Sequence, residues 1–287
     1  MSKQWVFSGQ KIIKDSLQAL EPFLGQPLCF QHGKWAVYLA QDSQELTPLK
    51  AITQQYQLDL AKTDSQQSLT DFKLLAMDMD STLISIECVD EIADYCGKKA
   101  EVSAITEATM RGEITDFNES LRRRVALLAG LEATVLEKVY AERLQLNPGA
   151  ANLIKAAHLA GLKTLLVSGG FSFFTDRIQA RLNLSYSRSN TLEIIDGKLT
   201  GKLLGPIVNA QIKRETVQTL SHELGINTDK VMAIGDGAND LEMMSVAGIS
   251  IAYHAKPAVA AKAKQVIEFG GLDTVLHWFE DGRDFLC

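Results

Sequence analysis

The apolar positions of this chain change their spacing several times, and each change marks an element. Ile13, Leu17, Leu20 and Leu24 recur every three or four residues, which predicts a helix over 11–24 with Gly25 as its stop. Leu28–Phe30 and Trp35–Leu39 are β-rich runs separated by His32-Gly33, a hairpin signal, and Gln4–Phe7 reads as a short strand ahead of them. Thr47 and Pro48 open a second helical pattern carrying Leu49, Ile52 and Tyr56, after which Leu58-Asp59-Leu60 alternates like a strand. The order βαββαβ is that of the split ferredoxin-like unit. Asp64–Thr70 is polar and without periodicity and reads as a linker. A small α+β domain over 1–70 is therefore expected ahead of a second domain over 71–287.

The second domain opens on Phe72–Met77, apolar on both faces as buried parallel strands are. Helical patterns then run from 87 to 146 with no convincing strand between them. Val89, Ile92, Ala93 and Cys96 share a face, Glu101–Met110, Phe117–Leu128 and Glu132–Glu142 follow, and Gly112 and Gly130 break the run. This predicts a helical cap inserted after the first strand. Asn147-Pro148-Gly149 resets the chain. Strands are expected over Lys163–Val167, Lys230–Ile234 and Ile249–Ala252, with a hairpin turning at Asp196-Gly197. Helices are expected over Ala150–Ala160, Phe171–Leu182, Ala210–Leu224, Glu242–Ala247, 258–268 and 272–279. Alternating strands and helices predict an α/β doubly wound parallel sheet. In such a sheet Asp78, Ser168 and Asp236 share the carboxyl edge, where ligands bind.

Composition narrows the classes. A net charge of −6 on 287 residues supplies no basic field for nucleic acid. No apolar run approaches the ~20 residues of a membrane span, and the first residues lack an apolar signal-peptide region. Four cysteines (Cys29, Cys88, Cys96 and Cys287) are scattered without metal-type spacing. A reducing cytoplasm is the expected setting.

The chemistry gathers at the strand ends. They deliver the pair Asp78 and Asp80, then Ser168-Gly169-Gly170, then Gly235-Asp236-Gly237 with Asp240. Carboxylates without His or Cys suit a hard cation, most simply Mg²⁺, and such a site favours phosphoryl chemistry. An ionised Asp can attack phosphorus, while a second acid protonates the leaving group and then activates water. Lys213 and Ser168 are candidates to stabilise developing negative charge. Each signal alone has a plainer reading: Ser-Gly is ordinary turn chemistry, Lys213 a solvated helix residue, and Asp236 and Asp240 helix-capping acids. Their conjunction, in order and at strand ends, is what carries weight.

MDMDSTL (77–83), VSGGF (167–171), the helix lysine Lys213 and GDGANDLEMM (235–244) resemble the four motifs of the haloacid dehalogenase-type phosphotransferase superfamily. ECVDEIADYCG (87–97), FNESLRRRVALLAGL (117–131), DGKLTG and GPIV extend the resemblance to one of its families, the phosphoserine phosphatases, over 71–287. That resemblance implies Asp78 as nucleophile and Asp80 as general acid/base. It implies Ser168, Lys213, Gly169 and Asn239 as phosphate contacts. It gives Mg²⁺ the Asp78 carboxylate, the Asp80 main-chain carbonyl and Asp236, with Asp240 behind them orienting Lys213 or a metal-bound water. For O-phosphoserine as substrate, Glu87 matches the partner of the ammonium and Arg124 that of the carboxylate. Met110 and Phe117 match apolar cap residues that close over serine, with cap core as the equal alternative. The N-terminal unit resembles ACT-type small-molecule modules in topology alone. A structural or dimerising role, giving a homodimer, and an amino-acid ligand both stay open for it. Two rival functions remain: a phosphatase or phosphotransferase for another small phosphate, and an amino-acid sensor on a phosphatase-like scaffold.

Overall fold

The computed structural model describes residues 3–39, 46–111 and 113–285, without the side chains at positions 46, 110 and 283. Its first elements are β1 (Lys3–Ser8), α1 (Lys14–Leu24), β2 (Cys29–Gln31), β3 (Trp35–Leu39), α2 (Leu46–Tyr56) and β4 (Asp59–Asp64). The four strands form an antiparallel sheet in the order β2-β3-β1-β4, with the two central strands β1 and β3 paired. This is the expected ferredoxin-like arrangement. Leu20 and Leu24 of α1 and Leu49 of α2 pack on Trp5, Phe7 and Tyr38. The alternate residues Val6, Val37 and Ala61 point the other way and join the core of the following unit. Burial on both faces explains why Trp5, Val6 and Phe7 are apolar without alternation.

The second sheet begins with β5 (Leu74–Met77), followed by the cap helices α3 (Cys88–Tyr95), α4 (Lys99–Met110), α5 (Phe117–Ala126) and α6 (Thr134–Glu142). Next come α7 (Ala150–Leu159), β6 (Lys163–Phe171), α8 (Ser172–Leu182), β7 (Tyr186–Ile195), β8 (Lys198–Leu204) and α9 (Ala210–Glu223). The chain closes with β9 (Val231–Gly235), α10 (Leu241–Val246), β10 (Ile249–Tyr253), α11 (Pro257–Ala260), β11 (Gln265–Ile267) and a 3₁₀ segment over Leu272–Trp278. The sheet order is β11-β10-β9-β5-β6-β7-β8. All neighbours are parallel except β7 and β8, the expected Asp196-Gly197 hairpin. β5 lies in the middle. Its Leu75 and Met77 enter one core and its Leu74 and Ala76 the other, the period of two that a strand buried on both faces must show. β9 divides its residues in the same way, so the carboxyl ends of β5 and β9 lie side by side.

Three expectations need correction. The helix expected over 258–268 stops at Ala260, and Gln265–Ile267 is an edge strand. The Ala-rich run favours a helix locally, but β10 offers ladder partners and the Ser250 hydroxyl accepts the Lys264 amide (2.9 Å), drawing the segment into the sheet. β7 begins at Tyr186, well before the expected hairpin strand at Leu192, because its first residues pair parallel with β6. The stretch read as a linker is tied down. β4 runs through Asp64, Leu69 is fully buried, and the amides of Leu69 and Thr70 donate to the Asp281 carboxylate at 2.5 and 3.2 Å. Gly112, read as a break in the cap, lies outside the described residues.

Candidate active site

The carboxyl end of β5 turns sharply. Asp78 still follows the strand direction and its amide donates to the Ile234 carbonyl (3.0 Å). Ser81 then enters the left-handed region (φ 57°), and the Ile84 amide closes back on the Met79 carbonyl (3.0 Å). Asp78 and Asp80 both keep extended backbone, and the chain turns only at Ser81. Asn147 fixes that turn, its side-chain amide donating to the carbonyls of Ser81, Thr82 and Ile84 at 3.3, 2.8 and 3.1 Å. Within the turn, Ser81 Oγ donates to Glu87 Oε1 (2.7 Å) and Thr82 Oγ1 to Asp236 Oδ1 (2.7 Å).

Lys213 rises from the first turn of α9 into the floor beneath Asp78. It is 0% exposed, and its ammonium lies 2.7 Å from both Asp78 Oδ1 and Asp240 Oδ1, with the hydrogen bond going to Asp240. Burial alone would lower the lysine, but Asp240 and Asp78 hold it above its usual range. The other oxygen of Asp240 accepts the Gly237 amide (3.0 Å), so both of its oxygens are used. Ser168 is buried at the end of β6 with its hydroxyl accepting the Gly170 amide (2.8 Å). A Cβ on Gly170 would come within 2.5 Å of the Met79 methyl and 3.2 Å of Asp80 Oδ2, so only glycine lets β6 pass this close.

A cavity of about 550 Å³ opens above these strand ends. Asp78, Asp80, Ser168, Gly169, Asp236 and Asn239 line it from the sheet, and Glu87, Phe117 and Arg124 from the cap. The Phe117 ring rests on Gly169, 3.2 Å from where a Cβ would stand. The side chain of Met110 lies outside the described residues. Burial and then Asp240 push the Asp78 carboxyl up to about 7, with Lys213 pulling it down. Burial, Glu87 and Asp78 push Asp80 well above the carboxylate range. Asp236 is raised to about 6 by burial and Asp240. Asp80 Oδ1 and Arg124 Nε are buried with no hydrogen-bond partner among the described residues.

Asp78, Asp236 and Asp240 offer carboxylate oxygens within 4.8 Å of one another, a group able to hold a metal ion. All donors are hard oxygens, which fits a hard divalent cation. Asp240 meets Lys213 and Gly237 with its two oxygens, while Asp78 and Asp236 line the cavity.

The model of the family described as "Hydrolase: haloacid dehalogenase-like hydrolase" matches residues 72–248. The chain belongs to the haloacid dehalogenase-like hydrolases. A phosphoserine phosphatase of Polaromonas sp. is 58% identical over 212 residues, covering 72% of this chain and 90% of the relative. The crystal structure of a probable phosphoserine phosphatase from Vibrio cholerae, in its unliganded form, superposes with a TM-score of 0.82 at 37% identity. It covers 98% of this chain and 88% of that one. A structure described as a phospho-aspartyl intermediate analogue of phosphoserine phosphatase has a TM-score of 0.68 at 36% identity, covering 75% of this chain and 100% of that one.

Several residues of this hydrolase's site had no sequence signal. Asn190 is buried on β7 and bridges two loops, donating to the Gly169 carbonyl (2.7 Å) and accepting the Val208 amide (2.8 Å). Cys88, fully buried at the start of α3, lies beside Asp80 and pulls its carboxyl down against the burial that raises it. Lys256 lines the cavity from the loop after β10, and its place just past a parallel strand would have drawn attention to it. His158, His222, His254, His277 and His32 are absent from the cavity lining. No described helix is long and apolar enough to cross a membrane.

Proposed function

We propose that this chain hydrolyses O-phospho-L-serine to L-serine and inorganic phosphate, the last step of serine synthesis, through an aspartyl-phosphate on Asp78. One observation carries the reading: the Asp78 carboxylate, backed by Lys213 at 2.7 Å, shares a cavity with Asp80 and with Arg124 of the cap, whose buried Nε has no hydrogen-bond partner among the described residues. An Asp78 oxygen attacks phosphorus and the phosphorus–oxygen bond to serine breaks. Asp80, whose carboxyl burial, Glu87 and Asp78 push well above the usual carboxylate range, gives its proton to the departing serine oxygen. Water then attacks the phosphorus of the aspartyl-phosphate while Asp80 takes a proton from it. Phosphate leaves and the Asp78 carboxylate is regenerated. Lys213, Ser168, Gly169 and Asn239 meet the phosphoryl oxygens. Asp240 holds Lys213 in place. Asp78, Asp236 and the main-chain carbonyl of Asp80 would hold Mg²⁺, which when bound would supply positive charge between two anions.

Substrate choice falls to the cap. The planar fork of Arg124 suits a carboxylate, and Glu87 suits an ammonium. Phe117, on Gly169, bounds the space left for a small side chain. In this reading residues 71–287 form the phosphatase domain and 1–70 a structural or dimerising module. The compartment is the cytoplasm, in keeping with Cys29, Cys88 and Cys96, which are free thiols. The test is hydrolysis of a panel of phosphomonoesters with Mg²⁺: phosphoserine should lead in kcat/KM, and no preference for it would reject the substrate. Asp78→Asn should lower turnover by about 10⁴–10⁶, the range for losing a nucleophile, and retained turnover would remove Asp78 from the chemistry.

A further inference from the structure

One carboxylate gathers three hydrogen bonds between the two units. Asp59, at the start of β4, is 3% exposed. Its Oδ1 accepts the amides of Glu268 (2.6 Å) and Phe269 (3.0 Å), and its Oδ2 accepts that of Gly270 (2.7 Å). Gln54 Nε2 donates to Glu268 Oε2 (2.9 Å), and Gln265 Nε2 donates to the Lys62 carbonyl (3.1 Å), so the same segment is clasped on both sides. Charge-assisted bonds to consecutive amides fix a backbone more firmly than neutral ones. A Cβ on Gly270 would lie 2.6 Å from Asp59 Oδ2, so the approach depends on glycine.

The clamped segment in turn holds another strand end. His254, just after β10, sits at φ 45°, a conformation that a side-chain-bearing residue keeps only when its surroundings impose it. Its amide donates to the Ile267 carbonyl (2.8 Å), and its Nε2 lies 2.9 Å from the Gly270 carbonyl. A carbonyl only accepts, so Nε2 carries the proton. Two residues on, Lys256 lines the catalytic cavity. The charged side chains lining that cavity are the acids Asp78, Asp80, Glu87 and Asp236 and the cations Arg124 and Lys256. A phosphate monoester brings further negative charge into this space, so the place of each lining cation bears on its binding.

We propose that Asp59 is a positioning residue for the reaction: through Glu268–Gly270 and His254 it sets where Lys256 meets the anionic phosphate monoester. The inference deepens the phosphoserine reading and rests on it only for the identity of that ester. It joins the N-terminal unit to turnover through packed hydrogen bonds and needs no ligand on that unit.

The experiment is a double-mutant cycle in the full chain, read on whichever monoester the wild type turns over best. A failure of the phosphoserine reading then appears in the wild-type panel and leaves the cycle intact. Lys256→Met should raise KM about tenfold, the loss expected of one charge-assisted contact, with kcat changed much less. Asp59→Asn should raise KM severalfold, and adding it to Lys256→Met should raise KM no further. Amide exchange at 268–270 should quicken in Asp59→Asn while β5 stays protected. His254→Gly keeps the backbone conformation but removes the ring contact. It provides the same reading should Asp59→Asn fail to fold, with an expected KM rise that disappears beside Lys256→Met. Losses that multiply in the double variants, or an unchanged KM in both Asp59→Asn and His254→Gly, would overturn the proposal.

Discussion

Asp240→Asn tests whether Lys213 is held in place by its second carboxylate. Asp240 is 0% exposed and spends one oxygen on the Lys213 ammonium (2.7 Å) and the other on the Gly237 amide (3.0 Å). An asparagine has a single acceptor, so one of these donors would face an NH₂ group. A buried donor left unsatisfied costs about 1–3 kcal/mol. Stripping one partner from a buried ion pair costs about 3–5 kcal/mol. Lys213 keeps Asp78, which places the expected loss near the foot of that range, about 3 kcal/mol. With a urea slope of about 3 kcal/mol/M, the unfolding midpoint should fall by about 1 M. Catalysis should fall more steeply than stability. An ammonium that has lost its alignment is a poorer donor to the phosphoryl oxygens, and kcat should drop about 10²-fold, the scale of losing one oriented donor. Asp240→Glu should not rescue either quantity. The Asp240 side chain already lies against Gly235, 2.4 Å from where a Cβ would stand, so an added methylene has no room. Urea melts and steady-state kinetics on phosphoserine read both effects. A midpoint within about 0.2 M of wild type together with kcat within about threefold would refute the argument.

Arg124→Met should raise KM for phosphoserine about 10–100-fold and leave an alkyl phosphate without a carboxylate nearly unaffected; equal losses on both would reject Arg124 as the carboxylate partner. Glu87→Gln removes the largest neighbouring charge that raises Asp80, so Asp80 should lose its proton at lower pH. With Asp80 as the proposed proton donor to the leaving group, the falling limb of the pH–rate profile should move to lower pH. An alkyl phosphate lacking an ammonium isolates this effect, and an unmoved limb would contradict it. Saturating Mg²⁺ at about 100 times its Kd should stabilise the fold by about 2.7 kcal/mol, a rise in Tm of about 5–10 °C. The rise should be reversed by chelator and absent in Asp236→Asn; a rise of equal size in that variant would move the ion elsewhere.

Asp78, Ser168 and Asp236 could be placed together from sequence because three buried strands announce themselves by apolar runs, and parallel strands put their carboxyl ends on one edge. Lys213 is a weaker case: phosphoryl chemistry asks for a cation and makes it a candidate, but on a helix it has the look of any solvated lysine, and the motif resemblance is what gives it weight. Asn147, Asn190 and Asp59 were invisible for another reason. Each acts on main-chain groups of segments remote in sequence, and a carbonyl or amide leaves no mark in the residue pattern. The edge strand β11 was hidden by local preference. Its Ala-rich approach favours a helix, and only the open ladder of β10 decides otherwise.

The two carboxylates of the Asp78 turn differ in a way that sequence spacing alone does not supply. Asp78 is buried and Asp80 half-buried, and both are raised by loss of solvent and by neighbouring acids. Of the two, only Asp78 is in contact with Lys213, so a positive charge offsets burial at one member of the pair and not at the other. Asp80 instead faces Glu87 and keeps an oxygen with no hydrogen-bond partner among the described residues. The pair is thereby split into a group that ionises more readily and a group that keeps its proton more firmly, the division that the proposed nucleophile and general acid require. The lysine belongs to the sheet domain and the glutamate to the cap. The first half of the split is built into the rigid floor, and the second depends on the cap lying closed over Asp80.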